Sequence, residues 1–428
     1  MKFAPRVLDL FCGAGGMSLG FKNAGCKILG GIEYERWPAE THEKNFPECK
    51  LKFGPKDICD VEPSDLEEWG IGQHDVDILI GGPPCQGFSI VGQSKIRHLG
   101  LERERDRKNK LYEQYIKFLR YFKPKYFVIE NVQGMKTFKK QNFLQNVLKK
   151  LRQEGYYVPE PEVLTASKFG VPQVRHRLFI IGRLEEYPDL AINYPKPTTQ
   201  TPITLKEAIS DLRILHAKKL TARKKGTLMN GGTKHEDKEI TYKTPPNSKY
   251  QKKMRKGNGE TVRNHICRGH NEFDLEIFDE LAEGGRYIDL PEKYHRYRAD
   301  IFKDKYRRLV YTQPSWTLTA HMQRDCLAYI HPTQKRTLST REAARIQSFP
   351  DKFVFEGPMT KVFRQIGNAV PPLLAQAVAK PIVAELRKKA ALEAATIQVS
   401  APATQVPEPA SSTQVTPLVK AVISEKVG

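Results

Sequence analysis

Apolar runs and helical spacings alternate over the first 190 residues. RVLDLF (6–11) is a short apolar strand bounded by glycines, residues 17–23 have helical spacing, and KILGGIEYE (27–35) reads as strand again. VDILIGG (76–82) and YFVIENV (126–132) are continuous apolar runs, as expected of strands covered on both faces. Between them Leu111, Tyr115, Phe118, Leu119 and Phe122 mark one helix face, and Phe143, Leu144, Val147, Leu148 and Leu151 mark another. RHRLFIIG (175–182) is a further strand. This alternation predicts an α/β fold, a doubly wound, Rossmann-like parallel sheet whose ligands bind beyond the carboxyl ends of its strands.

The character changes after about Tyr194, where KPTTQTPITL reads as a linker. Residues 216–270 carry 15 Lys plus Arg against 4 Asp plus Glu, with GTLMNGGT and KGNGE as loop signals. A disordered basic insertion would have this composition. The scattered tyrosines and prolines, and the regular FDLEIFDELAEGG that follows, favour an ordered but irregular module instead. Regular pattern returns with STREAARIQSFPDKF (339–353) and QIGNAVPPLLAQAVAKPIVAEL (365–386), the latter an amphipathic helix starting near Pro371, where a missing N–H costs nothing. After Ala390 the Ala, Thr, Pro, Val and Ser-rich chain predicts a disordered tail. The expected divisions are 1–194, a catalytic domain; 195–355, a smaller recognition domain; 356–388, a helical return to the first domain; and 389–428, the tail.

A chain of 428 residues exceeds one compact core, which agrees with two domains. Its longest apolar runs have strand length, and the N-terminus shows no signal-peptide pattern, so a cytoplasmic protein without membrane segments is expected. Seven cysteines, at 12, 26, 49, 59, 85, 267 and 326, form no C-x-x-C pair. Neither a metal site nor a redox motif is predicted, and most thiols should be reduced and buried. The charge changes the picture more: 70 Lys plus Arg against 49 Asp plus Glu give a net +21. So basic a chain points to a polyanionic partner, and nucleic acid is favoured.

DLFCGAGGMSLGF follows the first strand and opens a helix. Its glycines let the backbone turn tightly and approach a ligand, but Ser18 fills the last glycine position of a dinucleotide fingerprint. Glu33 ends the next strand, 24 residues after Asp9, where an acid suits ribose hydroxyls. Asp57, in PKDICD, is placed to close over an adenine after a third strand. Acids without a phosphate-binding lysine suit a cationic nucleoside, and S-adenosylmethionine fits that description.

GGPPCQGFS places Cys85 at the end of the next strand, and Glu130, in IENV, ends the one after it. Adjacent parallel strands end side by side, so thiol and carboxyl can face one substrate. An unperturbed thiol, with pKa about 8.5, is only a few per cent thiolate at neutral pH, and a nearby positive charge raises that fraction. Beside a methyl donor this pair has a known use. The sulfur adds to carbon 6 of cytosine, the acid holds a proton on N3, and carbon 5 becomes nucleophilic enough to take a methyl group.

At this point the chain resembles the DNA (cytosine-5) methyltransferases, and among them the prokaryotic enzymes of restriction–modification systems. DLFCGAGG, GGPPCQGFS, IENV, Gln173-Val174-Arg175-His176-Arg177 and QIGNAVPP occur in the family's order between residues 6 and 385. DRKNKLY (106–112) departs from it, with Lys108 where relatives often carry arginine. The resemblance implies Cys85 as nucleophile and Glu130 as N3 partner. Arg175 would contact the cytosine oxygen or orient Glu130, and Arg177 would support the site. Phe11, Gly13, Gly15, Glu33, Asp57, Ile58, Pro83, Leu111, Asn368 and Val370 would line the cofactor pocket, although Phe11, Ile58 and Leu111 are equally explained as core. Ser89, Lys95 and Arg97, with Arg103, would meet DNA from a loop (92–110) closing over a flipped cytosine. Residues 195–310 would choose the DNA sequence. The implied partners are double-stranded DNA and a restriction endonuclease acting independently on the same site, with the enzyme itself a monomer.

Other readings fare worse. A zinc deaminase needs P-C-x-x-C, and Phe88 occupies its second cysteine position. A dehydrogenase leaves Cys85 without a purpose. An RNA (tRNA) methyltransferase of the same catalytic plan would lack the long insertion and carry a Cys-Phe-Thr signature. A catalytically silent DNA-binding relative would have lost the thiol or the acid.

Overall fold

The apolar runs become strands of one seven-stranded sheet in the computed structural model, which describes residues 3–49, 55–84, 102–137, 143–220, 238–298 and 302–400. β1 (Arg6–Leu10), β2 (Lys27–Ile32), β3 (Ile78–Gly81) and β4 (Tyr126–Val132) lie parallel in the order β2-β1-β3-β4. β5 (Tyr156–Tyr157) and β6 (Glu162–Thr165) form an outer edge, and β7 (Gln173–Val174) pairs in parallel with Ser315–Trp316 outside this sheet. β8 (His176–Leu184) fills the gap between β4 and that edge. It runs antiparallel to β4, with Tyr126 opposite Arg183 and Val132 opposite Arg177. The expectation of an all-parallel sheet fails at this strand. A strand buried on both faces has the same apolar run in either direction, so its sequence carries no sign of its orientation.

Successive side chains feed two cores. Val7, Ile78, Ile80, Val128 and Ile181 face one layer, and Leu8, Leu79, Phe127, Ile129 and Ile180 the other. The first layer holds α1 (Gly16–Asn23) and the C-terminal helices; the second holds α3 (Glu102–Phe122) and α4 (Phe143–Gln153). α2 (Arg36–Asn45) follows β2. α3 starts at Glu102, inside the segment expected as a loop to residue 110, because ERERDRKNK is built of good helix formers. Residues 50–54, shortly before Asp57, lie outside the described residues, and the described residues between α2 and Asp57 form no strand.

The second half is organised by α5 (Leu205–Ile209), α6 (Glu272–Glu280), α7 (Thr340–Ile346), α8 (Met359–Asn368) and α9 (Pro372–Ser400). α9 begins with Pro372 at its first position, as its sequence predicts, but runs on to Ser400, past residue 389 where a tail was expected. Its Ala-rich end has high helix propensity, and Lys389 pairs with Glu393 one turn on. The stretch Met359–Thr396 is long and apolar enough to cross a membrane, yet 67% of its most apolar window lies buried inside the protein, as in a core helix. Within 195–355, Ile277, Phe278, Leu281, Tyr287 and Leu290 gather with Tyr306 and Ile330 into a small core of their own. Leu205, Tyr250, Leu318 and Phe349 instead join the core that includes α1 and α9.

Every residue of α7 is buried, three arginines around it included. Ser339 caps the helix reciprocally with Glu342. Arg336 grips Glu342 with both terminal nitrogens, at 2.8 and 2.6 Å. Arg345 lies between Asp211 and Asp351, both fully buried, and Arg341 donates to the carbonyls of Arg263 and Phe353. Two distant stretches, at Asp211 and Arg263, and the chain on either side are thereby fastened to one helix. Burial works against the charge of Asp351 and Glu342, but Arg345 and Arg336 respectively hold both carboxyls below their ordinary range.

Removing Arg345 strips buried Asp351 of its ion-pair partner and leaves Asp211 with Arg255, at 3.3 Å; breaking a buried pair from one side costs about 3–5 kcal/mol. Arg345→Ala should lower unfolding free energy by that order in urea titrations. The depressed carboxyls contribute fully above the unfolded carboxyl range, near about pH 4, and their contribution fades as pH falls through their lower folded values. The melting temperature of the intact protein should therefore drop below about pH 4, and drop less in Asp351→Asn, measured relative to that variant's own neutral-pH value.

Candidate active site

β1 delivers the chain into a loop of unusual backbone. Phe11, Gly13 and Gly15 all have positive φ, at 61°, 54° and 91°. For Phe11 this is a strained conformation, of a kind that gathers at ligand sites. A Cβ on Gly15 would come within 2.6 Å of the Phe46 ring, and one on Gly16 within 2.3 Å of the Val370 carbonyl. A Cβ on Gly13 would meet nothing within 4 Å. The loop is thus packed tightly behind and open in front, at the carboxyl edge of the sheet.

Glu33, just past β2, faces that opening. Its carboxylate accepts from the Gly13 amide at 2.9 Å and from the Glu35 amide at 2.8 Å. Burial raises its pKa, and those amides oppose the rise. Tyr34 beside it is 64% exposed, an aromatic surface that hydropathy gave no reason to single out. Lys56 donates its amide to the Glu33 carbonyl, so Asp57 reaches the same strand end. Asp57 accepts from the Cys59 amide at 3.1 Å and caps the turn Ile58–Asp60. Ile58 is core, with Phe11 and Leu111 packed half-buried on the same cluster. From the other side come Val370, buried against Gly16, and Asn368, exposed at the end of α8.

Beneath the loop, Ser18 donates to the buried Asp9 at 2.5 Å and lies 3.1 Å from His42 Nε2. Burial pushes Asp9 up to about 7 and His42 down to about 4. The serine that breaks the dinucleotide fingerprint is therefore the tie between β1, α1 and α2.

At the neighbouring strand ends, Gly81 of β3 is in register with Ile129 of β4. A Cβ on the following Gly82 would lie 3.2 Å from Glu130 Oε2. The chain leaving β3 passes directly beside Glu130 and continues through Pro83 and Pro84. Pro83 is buried, and its carbonyl accepts from Asn131 at 3.2 Å; Asn131 also donates to the Tyr112 hydroxyl. Asn131 and Tyr112 brace this turn, a duty that the sequence reading did not give them. Cys85, Ser89, Lys95 and Arg97 lie outside the described residues, as do the side chains of Arg103 and Lys108.

Glu130 is 12% exposed and pairs with Arg177, whose Nε lies 2.8 Å from Oε1. Burial raises the Glu130 pKa against the pull of Arg177 and Arg175. Arg175, expected to contact the cytosine oxygen or to orient Glu130, acts on Glu130 through its charge and bonds elsewhere. Fully buried, it donates to the carbonyls of Leu318 at 2.6 Å and Gly367 at 3.1 Å. It stands at the break between β7 and β8, where its guanidinium is bonded to these carbonyls while its charge still acts on Glu130. Gln173 also reaches Leu318, accepting from its amide, and donates to Gln347.

Residues 5–384 match the family model for C-5 cytosine-specific DNA methylases. The chain is 35% identical over 399 residues to the type II methyltransferase M.DdeI of Desulfomicrobium norvegicum, covering 88% of each. To M.XorII of Xanthomonas oryzae pv. oryzae it is 34% identical over 404 residues, covering 90% of this chain and 86% of the relative. Among solved structures, an E. coli prophage-encoded protein assigned as a DNA modification methyltransferase superposes with TM-score 0.70 at 25% identity, covering 90% of this chain and 99% of that one.

Arg177 is the charge that restrains Glu130. Arg177→Gln should move the Glu130 titration to higher pH, followed by carbon-detected NMR of labelled glutamate; an unmoved titration would show that Arg177 is not its counter-ion.

Proposed function

Because the chain belongs to the C-5 cytosine-specific DNA methylase family, and is a DNA (cytosine-5) methyltransferase, we propose that it modifies one cytosine of a particular duplex sequence through a covalent bond to Cys85, with S-adenosylmethionine as donor. The observation that carries this reading is the buried Glu130–Arg177 pair beside the Gly82 turn that leads into Cys85.

The chemistry follows from what each group can do. The Cys85 thiolate forms a bond to carbon 6 while Glu130, a carboxyl held above its ordinary range, keeps a proton at N3. Electron density then gathers on carbon 5. Bound S-adenosylmethionine supplies the electrophilic methyl group. Loss of the carbon-5 proton to water afterwards breaks the sulfur–carbon bond and returns the thiolate. Arg177 holds Glu130 in place through this cycle, and Arg175 holds the wall behind it.

The strand-end pocket suits that cofactor. Open space in front of Gly13 admits a ligand close to the backbone, and Glu33 offers acceptors to ribose hydroxyls. Phe11, Gly15, Asp57, Ile58, Pro83, Leu111, Asn368 and Val370 complete the proposed lining. An acidic pocket also favours a sulfonium cation.

A stacked cytosine is out of reach of a thiol, so the base must swing out, at a few kcal/mol. We assign that closure to the segment carrying Ser89, Lys95 and Arg97, and sequence choice to the recognition domain at 195–355. Relatives named type II methyltransferases make this protein the proposed modification half of a restriction–modification system. It would act as a monomer in the cytoplasm, with the endonuclease working separately.

Cys85→Ser should nearly abolish transfer of tritiated methyl groups to DNA while sparing cofactor binding, and a 5-fluorocytosine duplex should trap a covalent adduct on the intact protein. Near-normal turnover in the variant, or label found only in tRNA, would overturn the proposal. Exchanging residues 195–310 for those of a relative with another target should move the methylated position, read by bisulfite sequencing. An unmoved position would remove the recognition assignment.

A further inference from the structure

The two walls of the cofactor pocket come from opposite ends of the chain, and something must fix their spacing. One wall is the end of β2, with Glu33; the other is α8 and the 368–370 segment behind it. Two contacts join them near the mouth. Gly357 lies flat on Trp37, where a Cβ would approach the indole to 2.7 Å. Glu35, the residue that caps α2, forms an ion pair with Arg364 of α8, and each side chain is 31% exposed.

Glu35 is tied to Glu33 twice. Its amide donates to Glu33 Oε1 at 2.8 Å, so wherever Glu35 is held, that oxygen is held. Its carboxylate also sits close enough for like charge to act on Glu33. Arg364 answers both effects: it anchors the Glu35 side chain and neutralises the second negative charge. Arg364 lies one turn before Asn368 on the same helix, so the anchor reaches the opposite wall directly.

We propose that the Glu35–Arg364 ion pair is a clasp across the mouth of the cofactor pocket, which orients Glu33 for the ribose and slows release of the nucleoside. Glu35 and Arg364 are positioning residues that act through Glu33 and Asn368. The inference rests on the reading of this pocket as the S-adenosylmethionine site. An ordinary exposed ion pair contributes little; this one matters because an amide on the same residue holds the ligand-facing carboxylate.

The test measures S-adenosylhomocysteine binding to the full chain by calorimetry and stopped-flow release. Glu35→Gln and Arg364→Gln should each weaken binding about threefold to tenfold, the range of one modest ion pair. The loss should appear in the release rate, with melting temperature unchanged. Arg364→Lys should recover part of the affinity, and the exchanged pair Glu35→Arg with Arg364→Glu should recover more than either single change. Unaltered binding in both single variants overturns the clasp, as does loss without recovery in the exchanged pair. If the wild-type protein binds no S-adenosylhomocysteine, the cofactor reading itself falls and takes the clasp with it.

Discussion

A carboxylate largely buried at the end of a strand needs donors or a cation beside it, and the architecture around Glu130 supplies the cation. β4 runs outward and leaves Glu130 at its carboxyl end; β8 returns in the opposite direction and brings Arg177 alongside. Arg177 lies at the start of that returning strand, two positions along from the residue opposite Glu130. The reversed strand is thus the strand that carries the counter-ion of Glu130.

Residues 173–177 extend the same logic to the rest of the protein. Arg177 serves Glu130, whereas Arg175 and Gln173 reach the backbone of Leu318 and so hold that segment, part of the proposed recognition domain, against the sheet. Arg175 also binds the carbonyl of Gly367 in α8, next to Asn368 of the proposed cofactor pocket. Three side chains from one short stretch therefore contact the acid, the recognition side and the cofactor side. α7 does comparable work further out, where Arg336, Arg341 and Arg345 replace apolar packing by buried, fully partnered guanidinium groups. Such contacts fix position better than apolar ones, because each is satisfied in one geometry only.

Much of this was legible from the chain alone. Long apolar runs and glycine turns report burial and backbone conformation directly, so β1 to β4, the Gly13–Gly15 loop and the strand-end placing of Glu33 and Glu130 follow from pattern. Direction does not: RLFIIG has no polarity, and β8 was read the wrong way round. The division of labour between Arg175 and Arg177 was equally hidden, since two arginines two residues apart share a face only if the strand is unbroken between them. Nor does composition mark where a helix stops once it has joined a core, as α9 shows by continuing to Ser400. The buried arginines of α7 were missed because charge in a sequence reads as surface until its partners, here Asp211 and Glu342, are known to be close.

The distribution of charge ties these features to function. A net charge of +21 suits a DNA-bound enzyme, yet the loop behind Gly13 gathers Asp9, Glu33, Glu35 and Asp57 around one strand end. Left bare, that cluster would repel itself. Asp9 escapes by burial, which lifts it to about 7 and lets it share a hydrogen-bonded chain with Ser18 and His42. Asp57 is turned to its own backbone, and Glu35 is answered by Arg364. Glu33 is held by amides, and an amide neutralises no charge. A carboxylate held by amides rather than by a cation thus stands at the opening, which is the arrangement a pocket for a positively charged nucleoside requires.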